Sequence, residues 1–591
     1  MKGFDTLKVK SAVKSRNKFD LSRTHLTTMD FGEIVPLMVE ETVPGDQISV
    51  DATYFSRLAP LVKPTYGKFS FKTVSAYVPY HQVAEDVDAW MAGLGTWEGV
   101  TTYQRYITYY ELFQFILTNC TSGYVIGTSI PADASNADVI YKNTTGTEAY
   151  LCFTEIGKYY VKVLNALGYA IPENVNLKTG STWMTSLSTI KLSAYPLLAF
   201  FKVYNDYMSQ SQRFNTSQLS NFLRSVRQQI STSGYSNGAI SAAGLSLMFG
   251  NLKLNYDNDY FVSAWQSPNA AISGNQSISS MQSPYSASGS DVLTNDDANV
   301  RVISAGSAGF SSNLSQRTLD FLKSFDDWVR RNNYSGSRAV QQVYSRFGIK
   351  SDDYKTHYAH VLATDSQPVQ VGDVTATADT TNVPLGDYAG KGIMSSNSSV
   401  SFKADDYGCF IILGYYTVVP MNAYGFDRRV LRNTPLDYYN PEFDGLGAEA
   451  ISVGEFYTTP IADTSQDLSK DTDVYGFTER YNSYRYGRDV ITGDFRNYRI
   501  NGDDNVWHTG RNLTTLRISN NLVAQSSSVN TFAQSDSEYD RIFATNAPGV
   551  NHFYLTCQFK VNAIRPMLNL NQVVRLGEGD TVVPRNGNVI S

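Results

Sequence analysis

Between Phe553 and Val561 the chain alternates without interruption: Phe553, Leu555, Cys557, Phe559 and Val561 are apolar, while Tyr554, Thr556, Gln558 and Lys560 lie between them. Successive side chains of a strand point to opposite faces, so this run buries one face and wets the other only as a β-strand. Near the other end, Ile48, Val50, Ala52 and Tyr54 alternate in the same way with Ser49, Asp51 and Thr53. A further strand is predicted over residues 67–78, rich in aromatic and β-branched side chains, with Pro79 expected to stop the pairing. Length alone would admit several domains. Strands at both ends of 591 residues, with long excursions between them, imply instead one β core interrupted by insertions. An aromatic fraction of 13% agrees, because flat rings pack well on pleated surfaces.

Helices are fewer. From Pro196, suited to a first helical turn, Leu197, Phe200, Phe201, Tyr204, Tyr207 and Met208 recur at helical spacing. A second helix is predicted from about Ser315 to Arg331, with Leu319, Leu322, Phe325, Trp328 and Val329 on one side. Both stripes read as core faces. The stretches 121–190 and 266–313 are poor in periodicity and are expected to be exposed insertions. Tyr407 to Phe426 runs twenty residues without a charge, long enough to cross a bilayer. Pro420, Asn422 and three glycines interrupt it, so a buried strand followed by a turn is the better reading.

A formal net charge of -6 gives no overall positive field to hold nucleic acid, so any such contact must be local. The one clear charge asymmetry is the amino-terminal arm, where Lys2, Lys8, Lys10, Lys14, Arg16 and Lys18 face only Asp5. Two roles fit it equally: touching phosphate without reading sequence, or docking on a neighbouring copy. The four cysteines lie far apart, which points to neither a zinc site nor a disulfide framework. No apolar signal segment opens the sequence.

Catalytic motifs are missing. The run Gly386 to Gly392 has the wrong spacing for a phosphate-binding loop and reads as a glycine-rich turn. His357 and His360 lack the further ligands a metal needs, and no cofactor is expected. Glu85, Asp86 and Asp88 offer a possible acid and base for glycoside hydrolysis, although such clusters are commonly solvated residues at a helix start. Arg480-Tyr481, Tyr484-Arg485-Tyr486 and Arg488 interleave rings with guanidinium groups, as a surface stacking on unpaired bases would. The plainer alternative pairs these arginines with Glu479, Asp489 or Asp494 inside a β core.

Several blocks resemble, in order along nearly the whole chain, the major capsid proteins of microviruses of the gokushovirus-like and gut-phage lineages. They are FDLSRTHLTTMDFGEIVPLMVEETVPGD from Phe19 and ATYFSRLAPLVKPTYGKFSFKTVSAYVP ending at Pro79, then AYPLLAFFKVYNDYM from Ala194 and NDYFVSAWQSP from Asn258. GSRAVQQVYSRFGI from Gly336, LDYYNPEFDGLGAEAI from Leu436, YGFTERYNSYRYGRDVITGDF from Tyr475 and HFYLTCQFKVNAIRPM from His552 complete the series. Nothing is similar in 121–190, in 266–313 or in the tail 568–591.

The resemblance implies a mainly β fold, an eight-stranded antiparallel jelly roll in a single domain over 1–591. The basic arm is 1–18, the insertions are about 121–190 and 211–313, and the carboxy-terminal tail is 568–591. It implies a structural protein without enzymatic activity, sixty copies of which form a T=1 shell around a circular single-stranded DNA genome. Its implied partners are itself, that genome, minor virion proteins and, through an outward insertion, a host receptor, with no membrane span. Its implied location is the virion, after synthesis in the bacterial cytoplasm. The arm residues from Lys2 to Lys18 are then the candidate genome contacts. The alternative is a secreted glycan-binding or glycan-degrading β protein, which should carry a signal peptide and a paired-carboxylate cleft.

Overall fold

The computed structural model describes residues 16–126, 139–142, 149–171, 187–209, 218–264, a few positions between 324 and 348, 357–375, 388–444, 448–458, 473–496, 503–511, 533–545 apart from 535, and 550–567. The fold is mainly β, and two antiparallel sheets carry it. Ten strands build them: β1 (Asn17–Asp20), β2 (Arg23–Met29), β3 (Ile34–Thr42), β4 (Gln47–Leu58), β5 (Phe69–Pro79), β6 (His360–Pro368), β7 (Gln370–Thr375), β8 (Tyr388–Lys403), β9 (Gly408–Val418) and β10 (Phe553–Arg565).

In the first sheet β10 pairs with β4, β4 with β8, and β8 with β7. The other edge of β10 is shared: Arg23 to Met29 pair with Phe559 to Phe553, and Asn17 to Asp20 with Arg565 to Asn562. At the break, Leu21 N–H donates to the Val561 carbonyl at 2.9 Å, and the Ser22 hydroxyl accepts from Val561 N–H at 3.1 Å. The second sheet has the order β6-β5-β9-β3.

The alternation read from the sequence is the alternation of burial. Ile48, Val50, Ala52 and Tyr54 of β4 and Phe553, Leu555, Cys557, Phe559 and Val561 of β10 are all buried, and these inner faces meet the second sheet. Tyr54 lies 5.5 Å from Phe71 of β5, and Tyr416 of β9 stacks on Phe553 with centroids 3.9 Å apart and planes 15° from parallel. Each such side chain fully withdrawn from water contributes about 1.5–3 kcal/mol.

Strand β9 is buried on both faces, and this explains the uncharged run that begins at Tyr407. One face meets the first sheet. Helices cover the other side of the second sheet: α1 (Glu155–Ala166) lies on β3, and α2 (Tyr195–Val203) on β9 and β5. A strand sandwiched between layers has no wet face and needs no polar alternation. Among the described residues no helix is long and apolar enough to cross a membrane.

Pro79 is the last residue of β5, opposite Gly408, and a short 3-10 turn follows it. The predicted helix at Pro196 is present, and its last turn widens into a π-helix over Tyr204–Met208. Of the helix predicted over 315–331, only Ser324 and Asp327 are described, both helical. The stretch 266–313 lies outside the described residues.

Two expectations need correction. The segment 121–190 is not without regular structure: Thr121–Ile126, Val139–Lys142 and Ala149–Phe153 form a three-stranded sheet, and α1 follows. The helix was hard to read because its buried face, Gly157, Tyr159, Val163 and Leu164, includes a glycine. That glycine is obligatory: a Cβ at Gly157 would stand 1.9 Å from the Cys120 carbonyl oxygen. Likewise Gly390 and Gly392 lie within β8 and not in a turn, because Cβ atoms there would meet Leu61 at 3.0 Å and Leu58 at 2.6 Å.

Candidate functional site

The basic arm is only partly described. Lys2, Lys8, Lys10 and Lys14 lie outside the described residues, while Arg16 and Lys18 are exposed at the start of β1. Lys18 stands opposite Ile564 in register, and the Asn17 amide donates to the Met567 carbonyl at 2.7 Å. Segments 16–18 and 565–567 therefore share one corner of the first sheet. Arg565 holds that corner by reaching Glu40 at 2.8 Å and the fully buried Asp46 at 3.3 Å, while Arg23 takes the second oxygen of Glu40 at 3.0 Å.

The carboxylates Glu85, Asp86 and Asp88 do not form a catalytic pair, and Asp86 is not solvated. It is buried and receives Arg105 at 2.6 Å. Arg105 is itself fully buried and also donates to the carbonyls of Tyr103, Val226 and Arg227. A carboxylate fixed by a buried guanidinium anchors the chain and is not available to shuttle protons. Glu85 is paired with Arg227 at 3.2 Å, and Asp88 is exposed. His360 opens β6 with His357 just before that strand, so the two do not share a helix face. The described residues contain no cluster of three or more His, Cys, Asp or Glu able to hold a metal. Cys120, Cys409 and Cys557 are free and buried, and burial pushes the thiols of Cys120 and Cys409 up to about 12.

The arginine-tyrosine block forms the most elaborate surface feature. A two-stranded sheet of Ala448–Ser452 and Val474–Glu479 supports it. After the second strand the chain turns at Tyr481, which takes a left-handed conformation, φ +62°, and is buried, its N–H donating to Glu449 at 2.8 Å. Arg428 spans Glu449 at 2.6 Å and the buried Glu455 at 2.7 Å, so both acids are neutralised. Glu455 also accepts from the backbone N–H of Ser452, closing a capping box at the helical turn Val453–Phe456. Gly425 passes so close to this turn that a Cβ would lie 2.1 Å from the Glu455 carbonyl oxygen.

Around this support lies a cleft of about 440 Å³, lined among others by Tyr260, Phe426, Arg428, Arg432, Tyr484 and Arg488. Arg432 lies over the Tyr484 ring at 3.9 Å and donates to Ser483 at 3.2 Å. Arg488 donates to the Gly425 carbonyl at 2.7 Å, and Tyr486 stacks on Tyr260 at 5.0 Å. Burial pushes the Arg488 guanidinium below its usual range, against the opposing pull of Asp427.

The ion-pair reading of this block is met in part, and at the surface, not inside a β core. Arg485 is ion-paired, with Glu479 at 3.5 Å as expected and with Asp444 at 2.9 Å, a partner 41 residues upstream that spacing could not reveal. Arg480 instead lies over the rings of Phe443 and Tyr481. Among the described residues, neither Arg432 nor Arg488 has a carboxylate within 4.0 Å. Arg432 was missed by sequence reasoning, since it stands some fifty residues before the block.

Large apolar side chains are also left in water. Leu26 (72% exposed), Phe55 and Tyr554 share the outer face of the first sheet with Arg57 around a shallow depression, and Tyr66, Val430 and Phe426 are exposed elsewhere. A monomeric protein rarely leaves such surface open, and patches of this kind mark contacts with other chains.

Two β-sheets packed face to face, with buried carboxylates tied up in ion pairs and apolar side chains turned outward, define a β-sandwich protein. The chain belongs to the phage capsid protein (F protein) family, whose model matches residues 7–96 and 173–573. It is similar to the capsid protein VP1 of Chlamydia phage 1, 24% identical over 606 aligned positions covering 95% of each chain. It is also similar to the capsid protein VP1 of Bdellovibrio phage phiMH2K, 21% identical over 603 positions with the same coverage. Both are microvirus proteins, and membership assigns the chain a structural, non-enzymatic role in place of the glycan-degrading alternative.

Proposed function

We propose that this chain is the subunit of a T=1 icosahedral shell, sixty copies enclosing a circular single-stranded DNA genome, and that eight of its strands form a jelly roll. The observation that carries the reading is the path of the chain between the sheets. Strands β2, β10, β4 and β8 lie in one sheet and β3, β9, β5 and β6 in the other, so consecutive strands from β2 to β5, and again from β8 to β10, alternate between them. That alternation is what two Greek keys wound into a jelly roll require. In this reading β1 and β7 extend one sheet, and the whole chain is one domain.

The connections support the same picture. Residues 80–359 join β5 to β6 and residues 419–552 join β9 to β10, so the fold leaves long excursions free to meet neighbouring copies. The insertions about 121–190 and 211–313 fall within the first of these. One of them, within 211–313, projects to a host receptor. The arm from Lys2 to Lys18 lies inside and neutralises phosphate, while minor virion proteins complete the particle made in the host cytoplasm. The capsid names of the relatives and the exposed apolar side chains favour assembly over a solitary role.

Electron microscopy of the purified full-length chain tests this directly. Uniform small icosahedra of about 3.9 MDa, sixty times the 65.6 kDa chain, are expected. A chain that stays monomeric at every salt and protein concentration overturns the shell. Replacing the six arm charges with glutamine should cut packaged DNA, and unchanged packaging would leave the arm its alternative role on a neighbouring copy.

A further inference from the structure

The cleft between Arg432 and Arg488 is built for more than internal support. Of its four arginines, Arg428 is held by Glu449 and Glu455, and Arg429 is held by Asp427 at 2.7 Å. Arg432 and Arg488 remain, each half-buried and, among the described residues, each hydrogen-bonded to neutral oxygens, those of Ser483 and Gly425. Two guanidinium groups with no carboxylate within 4.0 Å among the described residues, gathered in one concavity where four arginines outnumber Asp427 and Glu455, offer a site for an anion, and the planar fork of arginine suits phosphate in particular.

The rings identify which phosphate. Tyr484 has Arg432 against its ring yet leaves 47% of its surface open, and Phe426 at the rim is 45% exposed. Aromatic faces beside a cationic groove are how proteins hold unpaired bases without selecting sequence. The volume of about 440 Å³ falls in the range that accommodates a small organic ligand. We infer that this cleft binds one nucleotide unit of single-stranded nucleic acid, with the phosphate between Arg432 and Arg488 and the base against Tyr484. The inference rests on the genome-enclosing reading and gives it a second contact, independent of the basic arm.

The test uses the full-length chain and a fluorescein-labelled oligothymidylate of about 12 nucleotides, followed by anisotropy across a salt series. Arg432→Gln with Arg488→Gln should weaken binding at low salt by about ten-fold or more. It should also flatten the log-log salt slope by about 1.4, since each lost phosphate contact accounts for about 0.7. Tyr484→Leu should weaken binding by about ten-fold with the slope unchanged, because stacking releases no counter-ions. The paired Lys substitutions at 432 and 488 should keep most of the slope.

Urea melts like those of the parent chain exclude misfolding as the cause. Glutamine and leucine variants that bind the oligonucleotide as the parent does overturn the inference. So does a parent chain that binds no oligonucleotide, and so does a cleft occupied by inorganic phosphate but not by the oligonucleotide. None of these results touches the shell reading, which stands or falls on particles in micrographs and on their nucleic-acid content.

Discussion

Asp30 and His552 are separated by 522 positions in the chain and by 2.7 Å in the fold. The aspartate follows β2 and the histidine precedes β10, so the pair ties the first strands to the last. His552 also stacks on Phe543 at 3.9 Å, and its second ring nitrogen meets the Thr545 carbonyl at 2.9 Å. Burial alone would lower the imidazole pKa. The hydrogen bond and charge of Asp30, with help from Thr545 and Asp540, outweigh burial and raise it above 6.5.

The sign of the pH dependence follows. A raised folded-state pKa means that the folded chain holds the proton more tightly than the unfolded chain does. The stabilisation is complete below about pH 6.5 and is lost as pH rises through the folded-state value. Urea melts at pH 5.5 and 8.5 should show that the stability gap between the parent and His552→Gln narrows at the higher pH. A gap that widens, or does not change, contradicts this assignment.

The buried pair Arg105 and Asp86 should behave as a unit. Arg105→Ala leaves a buried carboxylate without its cation and should cost about 3–5 kcal/mol. Replacing both residues with apolar ones of similar size should cost clearly less than the sum of the single changes. A double-mutant cycle from denaturant melts measures the coupling, and additive losses would contradict it.

Closure of the two sheets can be weighed at Tyr416 and Phe553. Phe553→Ala removes a fully buried ring from that contact and should cost about 3–5 kcal/mol. The pair itself should show a coupling of about 0.5–1.5 kcal/mol beyond lost burial. If β10 belonged to a separately folding unit, Phe553→Ala would shift only one of two unfolding transitions.

Two glycine-to-alanine changes in helices should differ sharply. At Gly157 the added methyl group would stand 1.9 Å from the Cys120 carbonyl oxygen, so α1 must leave the π-turn at Ile116–Cys120, and a loss of about 2 kcal/mol or more is expected. At Gly250, which ends the helix Ala242–Gly250, nothing lies within 4 Å, and alanine should be neutral or stabilise by up to about 1 kcal/mol. Thermal melts of the two variants give the comparison.

Much of the β core was legible because its signal is local. The first sheet is wet on one side, so β4 and β10 had to alternate, and a strict period of two has no other structural meaning. The run at β9 was legible as buried because nothing charged interrupts it. The regular structure within 121–190 was not legible, because α1 packs through a glycine and a tyrosine instead of a continuous aliphatic stripe. The strand character of Gly390 and Gly392 was hidden for a related reason, since the fit against Leu61 and Leu58 depends on residues over 300 positions away.

The arginine-tyrosine block shows the same division. Its residue types announced a surface of rings and cations, yet which arginines are neutralised depends on acids and backbone brought in from 425–455. Local spacing thus determined β4, β5, β9 and β10 as strands, with the wet and dry faces of β4 and β10, while their pairing is a tertiary fact. Only the tertiary structure decided that Asp86 is an anchor, that Arg432 joins Arg488, and that Asp30 meets His552. Electrostatic partnership depends on distance through space, and sequence separation carries no information about it.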